Sequence, residues 1–257
     1  MSNPYLSIII PAYNEAERLP MTLLDMDKRL HAVDFSYEII VVNDGSHDKT
    51  ADIVTSMGKM IKGLRLLDVG TNVGKGGAVR AGMLDAKGVI RLFTDADNAT
   101  SIDQFEKMMP FFSAGGGSAF GGKEKYDVVF GSRATKGAKL DPPEPFYRQL
   151  IGKGLNLIVQ ILLLRGVWDT QCGFKAFTAE AADKVFGASR IHSWGFDVEI
   201  LVLAKRFGYR IKEIPVHWVN DTRSTVHFSA GPKFLADIIK IRWWLWAGRY
   251  SEILNGR

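Results

Sequence analysis

Val89-Ile90-Arg91-Leu92-Phe93-Thr94-Asp95-Ala96-Asp97-Asn98 is the stretch on which the reading of this chain turns. A short apolar run, Val89–Thr94, is followed at once by two carboxylates one residue apart. A run of that length bounded by polar residues reads as a buried strand. Two carboxylates at the exit of such a strand need compensation, because an unpaired buried carboxylate costs roughly several kcal/mol. A divalent cation compensates both, and oxygen-only ligands suit Mg²⁺ or Mn²⁺, which keep waters and accept substrate phosphates. An isolated Asp-x-Asp is more often a polar turn. The strand before Asp95 and the motifs around it favour the metal.

Working outward, the first half alternates short apolar runs with amphipathic ones. Leu6–Ile10 reads as a strand ended by Pro11, and Glu15–Val33 as a helix. Glu38–Val42, Arg65–Val69 and Val89–Thr94 read as strands, with helices over Asp48–Ile61, Gly77–Ala86 and Ile102–Phe112. Strand alternating with helix predicts an α/β fold with a parallel sheet covered on both faces, whose ligands bind beyond the carboxyl ends of the strands. Ser113–Lys125 is glycine-rich and reads as a mobile loop, since a strand, Asp127–Phe130, follows directly. Beyond it we expect a helix over Phe146–Leu164, a strand over Gly173–Phe177 and a helix over Asp197–Phe207. A strand over Tyr209–Trp218 and a closing helix over Gly231–Tyr250 complete the chain.

Each strand end carries a candidate site. Pro11 to Glu15 ends the first strand, where Tyr13 can stack on a base, or Asn14 can cap the helix that Glu15 enters. Asn43-Asp44-Gly45-Ser46 ends the second, with Asp44 as an acceptor for a base or ribose, or Ser46 and Asp48 as helix caps. Gly74-Lys75-Gly76-Gly77 fails the Walker spacing, because three residues rather than four separate Gly70 from Gly74, and Gly76 follows the lysine. It can still offer backbone N–H groups and Lys75 to phosphate, or serve only as a glycine turn. Arg133, after Asp127–Phe130, could clamp phosphate or lie on the surface. Cys172 reads as a small buried thiol rather than a nucleophile. Asp197 and Glu199 open a helix pointing different ways, so at most one need face a site.

Composition sets the class. The chain has 257 residues, a net charge of +5 and one cysteine, Cys172. Its length suits one α/β domain, its charge suits anionic partners, and its single cysteine excludes an internal disulfide framework. No basic-then-apolar leader opens it, and no apolar run reaches the roughly 20 residues that span a bilayer. Leu155–Leu164 and Phe234–Trp246 mix Leu, Ile and Trp with flanking basic residues, which favours a bilayer interface or, alternatively, a core helix or oligomer face.

Taken in order, Pro11–Glu15, Asn43–Ser46, Asn72–Gly77, Asp95–Asp97 and Gly131–Arg133 resemble the motifs of the family 2 glycosyltransferases. Asp95–Thr100, Asp169–Phe177 and Phe196–Glu199 are most similar to the dolichyl-phosphate β-glucosyltransferase group, with dolichyl-phosphate mannose synthases next. The resemblance implies a GT-A fold, Rossmann-like and mostly parallel, spanning 1–230. Residues 231–257 would be an interfacial amphipathic helix of the same domain. It implies that Pro11, Tyr13, Glu15, Asp44, Lys75, Asp95 and Ala96 hold the nucleotide and that Asp95 and Asp97 hold Mg²⁺ or Mn²⁺. Arg133 would meet phosphate. Asp169, Gln171, Lys175 and Asp197 would line the sugar and acceptor side, joined by Arg223 and Ser224 where relatives carry a Ser-Lys pair. The implied reaction is inverting transfer of a hexose from a nucleotide-sugar, UDP-glucose or else GDP-mannose, to a lipid-linked phosphate or else to a hydroxyl acceptor. The implied location is cytoplasmic and peripheral to a membrane, with no nucleic acid partner and, unlike eukaryotic relatives, no N-terminal anchor.

Overall fold

The computed structural model describes residues 3–112, 125–143, 146–219 and 230–250. The expected mobile loop, apart from Lys125, lies outside them, as do Arg223, Ser224 and residues 251–257. The element order begins β1 (Leu6–Ala12), α1 (Leu19–Leu30), β2 (Tyr37–Asn43), α2 (Thr50–Met57), β3 (Leu64–Asp68), α3 (Lys75–Asp85) and β4 (Ile90–Thr94). A 3-10 turn (Ile102–Lys107) and α4 (Met109–Phe112) precede β5 (Val128–Ser132), β6 (Lys139–Asp141), α5 (Phe146–Leu162) and β7 (Phe174–Thr178). Then come α6 (Ala179–Ala188), α7 (Phe196–Arg206), β8 (Ile211–Pro215), β9 (His217–Val219) and α8 (Ala230–Trp246).

Seven strands form one sheet in the order β3-β2-β1-β4-β7-β5-β8. All neighbours run parallel except β7, which is antiparallel to β4 and β5. Side chains alternate across a strand, so each strand feeds two cores. Ile9, Ile40, Val42 and Phe93 face the core capped by α3, α6, α7 and α8. Ile8, Ile10, Ile39, Val41 and Leu92 face the other, under α1, α2 and the 3-10 turn. Because β7 is reversed, its start lies at the carboxyl end of β4, with Phe174 paired to Thr94. The loop before β7 is thereby delivered to the Asp95 edge.

Several expectations are corrected. The first helix starts at Leu19, not Glu15, because residues 13–18 are tied into the turn after β2 and Pro20 sets the first helical turn. The 102–112 helix is broken into a 3-10 turn and one α turn, since Pro110 can neither donate to residue 106 nor fit its carbonyl. The strand expected over Tyr209–Trp218 is two strands. It breaks after Pro215, where the chain leaves the main sheet and β9 pairs with β6 in a separate ribbon. Helix α6 went unread, although Thr178 caps it by accepting from the Ala181 N–H and Glu180 sits in its first turn.

Candidate active site

The carboxyl ends of β1, β2, β4 and β5 and the start of β7 converge on one edge, as the parallel-sheet rule requires. The turns after β1 and β2 are laced together. Asn14 N–H donates to Ser46 Oγ at 3.0 Å, His47 N–H to Asn14 Oδ1 at 2.9 Å, and Glu15 N–H to Thr50 Oγ1 at 2.9 Å. Asn14, with φ 54°, therefore bonds the neighbouring turn instead of capping α1. Tyr13 stays exposed with its ring edge-on to His47, free to stack on a base. Glu15 is paired with Arg18.

Asp44 is buried and accepts the Val73 N–H at 2.7 Å. Burial raises its pKa, against the pull of the Val73 and Gly74 amides. Gly45 beside it has φ 68°, and a Cβ there would lie 2.6 Å from Asn72 N, so only glycine lets the two loops meet. Two amides of the glycine loop are engaged within the protein. Gly74 N–H donates to Asn72 Oδ1 and Gly76 N–H to the His192 carbonyl.

Lys75 carries the charge of that loop. Its Nζ lies 2.6 Å from Asp95 Oδ1 and 4.9 Å from the Trp194 ring centre. Burial alone would lower its pKa, but Asp95, Asp197 and Asp97 outweigh it and raise it. Asp97 accepts the Ala99 N–H at 3.0 Å, and its pKa is pushed up by burial and then by Asp95. Ala96 between them is buried, its carbonyl accepting from Thr22 Oγ1 at 2.7 Å, which pins the turn to α1.

The pair fits a divalent cation. Its donors are all oxygen, and Asp95 Oδ1 already attracts one cation, the Lys75 ammonium at 2.6 Å. Burial and then Asp95 disfavour the charged form of Asp97, and a cation would relieve both. Among the described residues no cluster of three or more His, Cys, Asp or Glu completes a cage. Remaining positions would fall to water and to donor phosphates, the usual Mg²⁺ arrangement. Gly173 closes over Asp95, and a Cβ there would sit 2.1 Å from Asp95 Oδ2. We therefore expect Gly173→Ala to swing the Asp95 carboxylate off Lys75. The expected loss of kcat/KM is about a hundredfold, with a melting temperature close to wild type. Steady-state kinetics beside a thermal melt would check this, and unchanged kinetics would count against Asp95.

The residues expected on the sugar and acceptor side form two units. Arg133 forks onto Asp169, with Nε to Oδ2 at 2.8 Å and Nη2 to Oδ1 at 2.9 Å, and its guanidinium lies 4.8 Å from the Trp218 ring. Burial would raise the Asp169 pKa, yet Arg133 holds it below the usual range. Glu213, which the sequence reading missed, accepts the N–H groups of Trp168 and Asp169 and so sets that loop. Gln171 is exposed beside them.

Lys175 and Asp197, expected on the acceptor surface, are instead buried together as an ion pair, with Lys175 also donating to the Cys172 carbonyl at 2.7 Å. Lys175 pairs in register with Phe93 and Phe130, whose side chains face the core under α3 and α6–α8, so it points into the interior and braces the site from beneath. Burial pushes Asp197 up, against Lys175 and Lys75. Cys172 is buried with its thiol pushed up to about 12 by that burial, which removes it as a nucleophile. Glu199 points away from Asp197, as expected, and accepts the N–H groups of Arg190 and Ile191.

Residues 7–186 match the family described as Glycosyl transferase family 2. The chain is 40% identical over 253 residues to the Dolichyl-phosphate beta-glucosyltransferase of Dictyostelium discoideum, covering 94% of this chain and 75% of that protein. The human protein of the same name is 35% identical over 223 residues, covering 83% and 67%. The fold is shared with glucosyl-3-phosphoglycerate synthase from Mycobacterium tuberculosis in complex with Mn²⁺, UDP and phosphoglyceric acid. The TM-score there is 0.63 at 16% identity, over 93% of this chain and 78% of that one. With its strand-end carboxylate pair set in this sheet, the chain is a glycosyltransferase of family 2, homologous to the dolichyl-phosphate beta-glucosyltransferases.

Proposed function

We propose that this chain, with a GT-A type site, transfers glucose from UDP-glucose to a dolichyl or polyprenyl phosphate at the cytoplasmic surface of a membrane. Similarity to the dolichyl-phosphate enzymes supports donor and acceptor together. The observation that carries the acceptor chemistry is the engagement of the two carboxylates on the acceptor side that are candidates for a base. Asp197 is locked to Lys175 and Asp169 to Arg133. A hydroxyl acceptor needs a carboxylate within reach to take its proton. A phosphate monoester, with a second pKa of about 6, is already ionised and attacks the anomeric carbon without one.

Asp95 and Asp97 would hold Mg²⁺ or Mn²⁺, which when bound supplies Lewis-acid stabilisation of the departing diphosphate. Tyr13 and Asp44 frame the nucleoside end. Lys75 places a cation beside the diphosphate position, and Arg133, oriented by Asp169 and Trp218, faces the acceptor phosphate.

The membrane surface is proposed from α5 and α8. Both leave apolar side chains exposed: Leu157 and Ile161 on α5, Ile239, Trp243 and Trp246 on α8. Lys233, Lys240, Arg242 and Arg249 on or just beyond α8 are exposed as well, a set suited to an anionic interface. The opposite side of α8 is not spare, since Phe234, Ile238 and Ile241 are core. Among the described residues no helix is long and apolar enough to cross a membrane.

The test is transfer of labelled sugar from UDP-glucose, beside GDP-mannose, to a polyprenyl phosphate carried in anionic vesicles. Labelled lipid from UDP-glucose alone is expected. Label from GDP-mannose alone would overturn the donor, and no lipid product from either would overturn the acceptor. Joint Trp243→Glu and Trp246→Glu substitution should cut transfer to vesicles about tenfold while sparing a short soluble acceptor. Equal loss on both acceptors would sink the interfacial role.

A further inference from the structure

The segment before α7 forms the outer wall of the Lys75 site. The His192 carbonyl accepts the Gly76 N–H at 2.8 Å, and a Cβ on Gly74 would lie 2.6 Å from that same carbonyl oxygen. Two residues on, the Trp194 ring covers Lys75. What fixes this wall from behind comes from the far end of the chain. On α8, Asp237 Oδ2 accepts the Ser193 hydroxyl at 2.6 Å and the Gly195 N–H at 3.1 Å, bracketing Trp194. The approach is close: a Cβ on Gly195 would sit 2.3 Å from the Asp237 Cβ. The other end of the segment is tied to the same C-terminal region, because the Tyr250 hydroxyl donates to Glu199, which holds the Arg190 and Ile191 amides.

We infer that Asp237 is a positioning residue for donor binding: from α8 it holds Ser193-Trp194-Gly195 so that the Trp194 ring closes against Lys75 at the diphosphate position. The inference rests on the reading of Lys75 and Asp95 as the donor site. Its physical content is preorganisation. Trp194 is 40% exposed, so the core alone does not restrain its ring. Two hydrogen bonds to one carboxylate, one on each side of the tryptophan, fix the backbone that carries it. Lys75 is then held between an anion and an aromatic face before the nucleotide arrives, and the cost of ordering it is removed from binding.

The test uses the full chain. UDP with Mn²⁺ is titrated calorimetrically into wild type, Asp237→Asn and Ser193→Ala, each also followed by thermal melting. Iodide quenching of Trp194 is taken as the difference from Trp194→Phe. Asparagine keeps the shape but lacks the charge that two donors share. We expect Asp237→Asn to bind UDP about tenfold more weakly and to expose Trp194 to iodide. The donor KM should rise in step while kcat at saturation stays within about twofold. Ser193→Ala should lose less, and adding it to Asp237→Asn should cost nothing further. If Asp237→Asn melts lower yet its folded fraction binds UDP as wild type does, Asp237 is only a structural tie and the inference is overturned. If wild type binds GDP but not UDP, the same comparison is read with GDP. If it binds neither, the donor-site reading itself has failed, and this inference falls with it.

Discussion

Asp97→Asn is expected to lower sugar transfer by about 10³-fold, the range seen when an electrostatic stabiliser of departing charge is lost. The substitution is chosen because it leaves the local geometry alone. The Asp97 Oδ1 that accepts the Ala99 N–H is replaced by an amide oxygen able to accept the same bond, so the turn after β4 should persist. What disappears is a charge that burial and Asp95 already make costly. The sign of the stability effect therefore separates a metal ligand from a structural residue. Without metal or nucleotide the variant should be as stable as wild type or slightly more so. With Mn²⁺ and UDP at about a hundred times their dissociation constants, wild type should gain roughly 2.7 kcal/mol. That corresponds to a thermal shift of about 5–10 °C. The variant should gain almost none. Retained activity, or a full ligand-induced shift in Asp97→Asn, would show that Asp97 does not hold the metal.

Lys175→Met should produce the largest loss of stability, about 3–5 kcal/mol, the cost of breaking a buried ion pair from one side. Both members are buried, and methionine would leave Asp197 with its desolvation penalty and without its main partner. The deficit should depend on pH with a definite sign. A carboxyl whose folded pKa is raised binds its proton more tightly folded than unfolded, so stability falls as pH rises from the unfolded pKa through the folded one. The variant should accordingly recover stability as pH falls below the folded pKa of Asp197. Replacing both residues, Lys175→Met with Asp197→Val, should restore most of the loss, because an apolar pair of comparable volume carries no uncompensated charge. Urea unfolding of wild type and the two variants across pH checks this, and a double variant no better than Lys175→Met would refute the charge argument.

How far the fold could be read from the chain depends on how local each signal is. The strands that build the sheet are apolar runs ended by turn residues, so β1, β2 and β4 were found within a residue or two. The position of Asp95 and Asp97 at a strand exit was legible because the apolar run that ends there is a local signal. The placing of α1 failed for a tertiary reason. Side chains from the turn after β2 satisfy the amides of residues 14–16, so the chain gains nothing by starting a helix there. The Tyr209–Trp218 run alternates as one strand would, yet Pro215 and the pairing of β9 with β6 divide it between two sheets.

The α/β class, the edge of the sheet on which the motifs gather, and the family could all be read from the order of residues. Those rest on apolar periodicity, turn residues and motif order, all properties of neighbouring positions. Only the tertiary structure decided what the charged residues do. Arg133 meets Asp169 across 36 positions, Lys175 meets Asp197 across 22, and Ser193 meets Asp237 across 44. Whether a lysine faces an acceptor or a buried aspartate depends on the sheet face its register gives it, and the register of β7 is set by pairing with β4 and β5. A charge shows its type in the sequence, but its partner is chosen by topology, and the partner decides its chemistry.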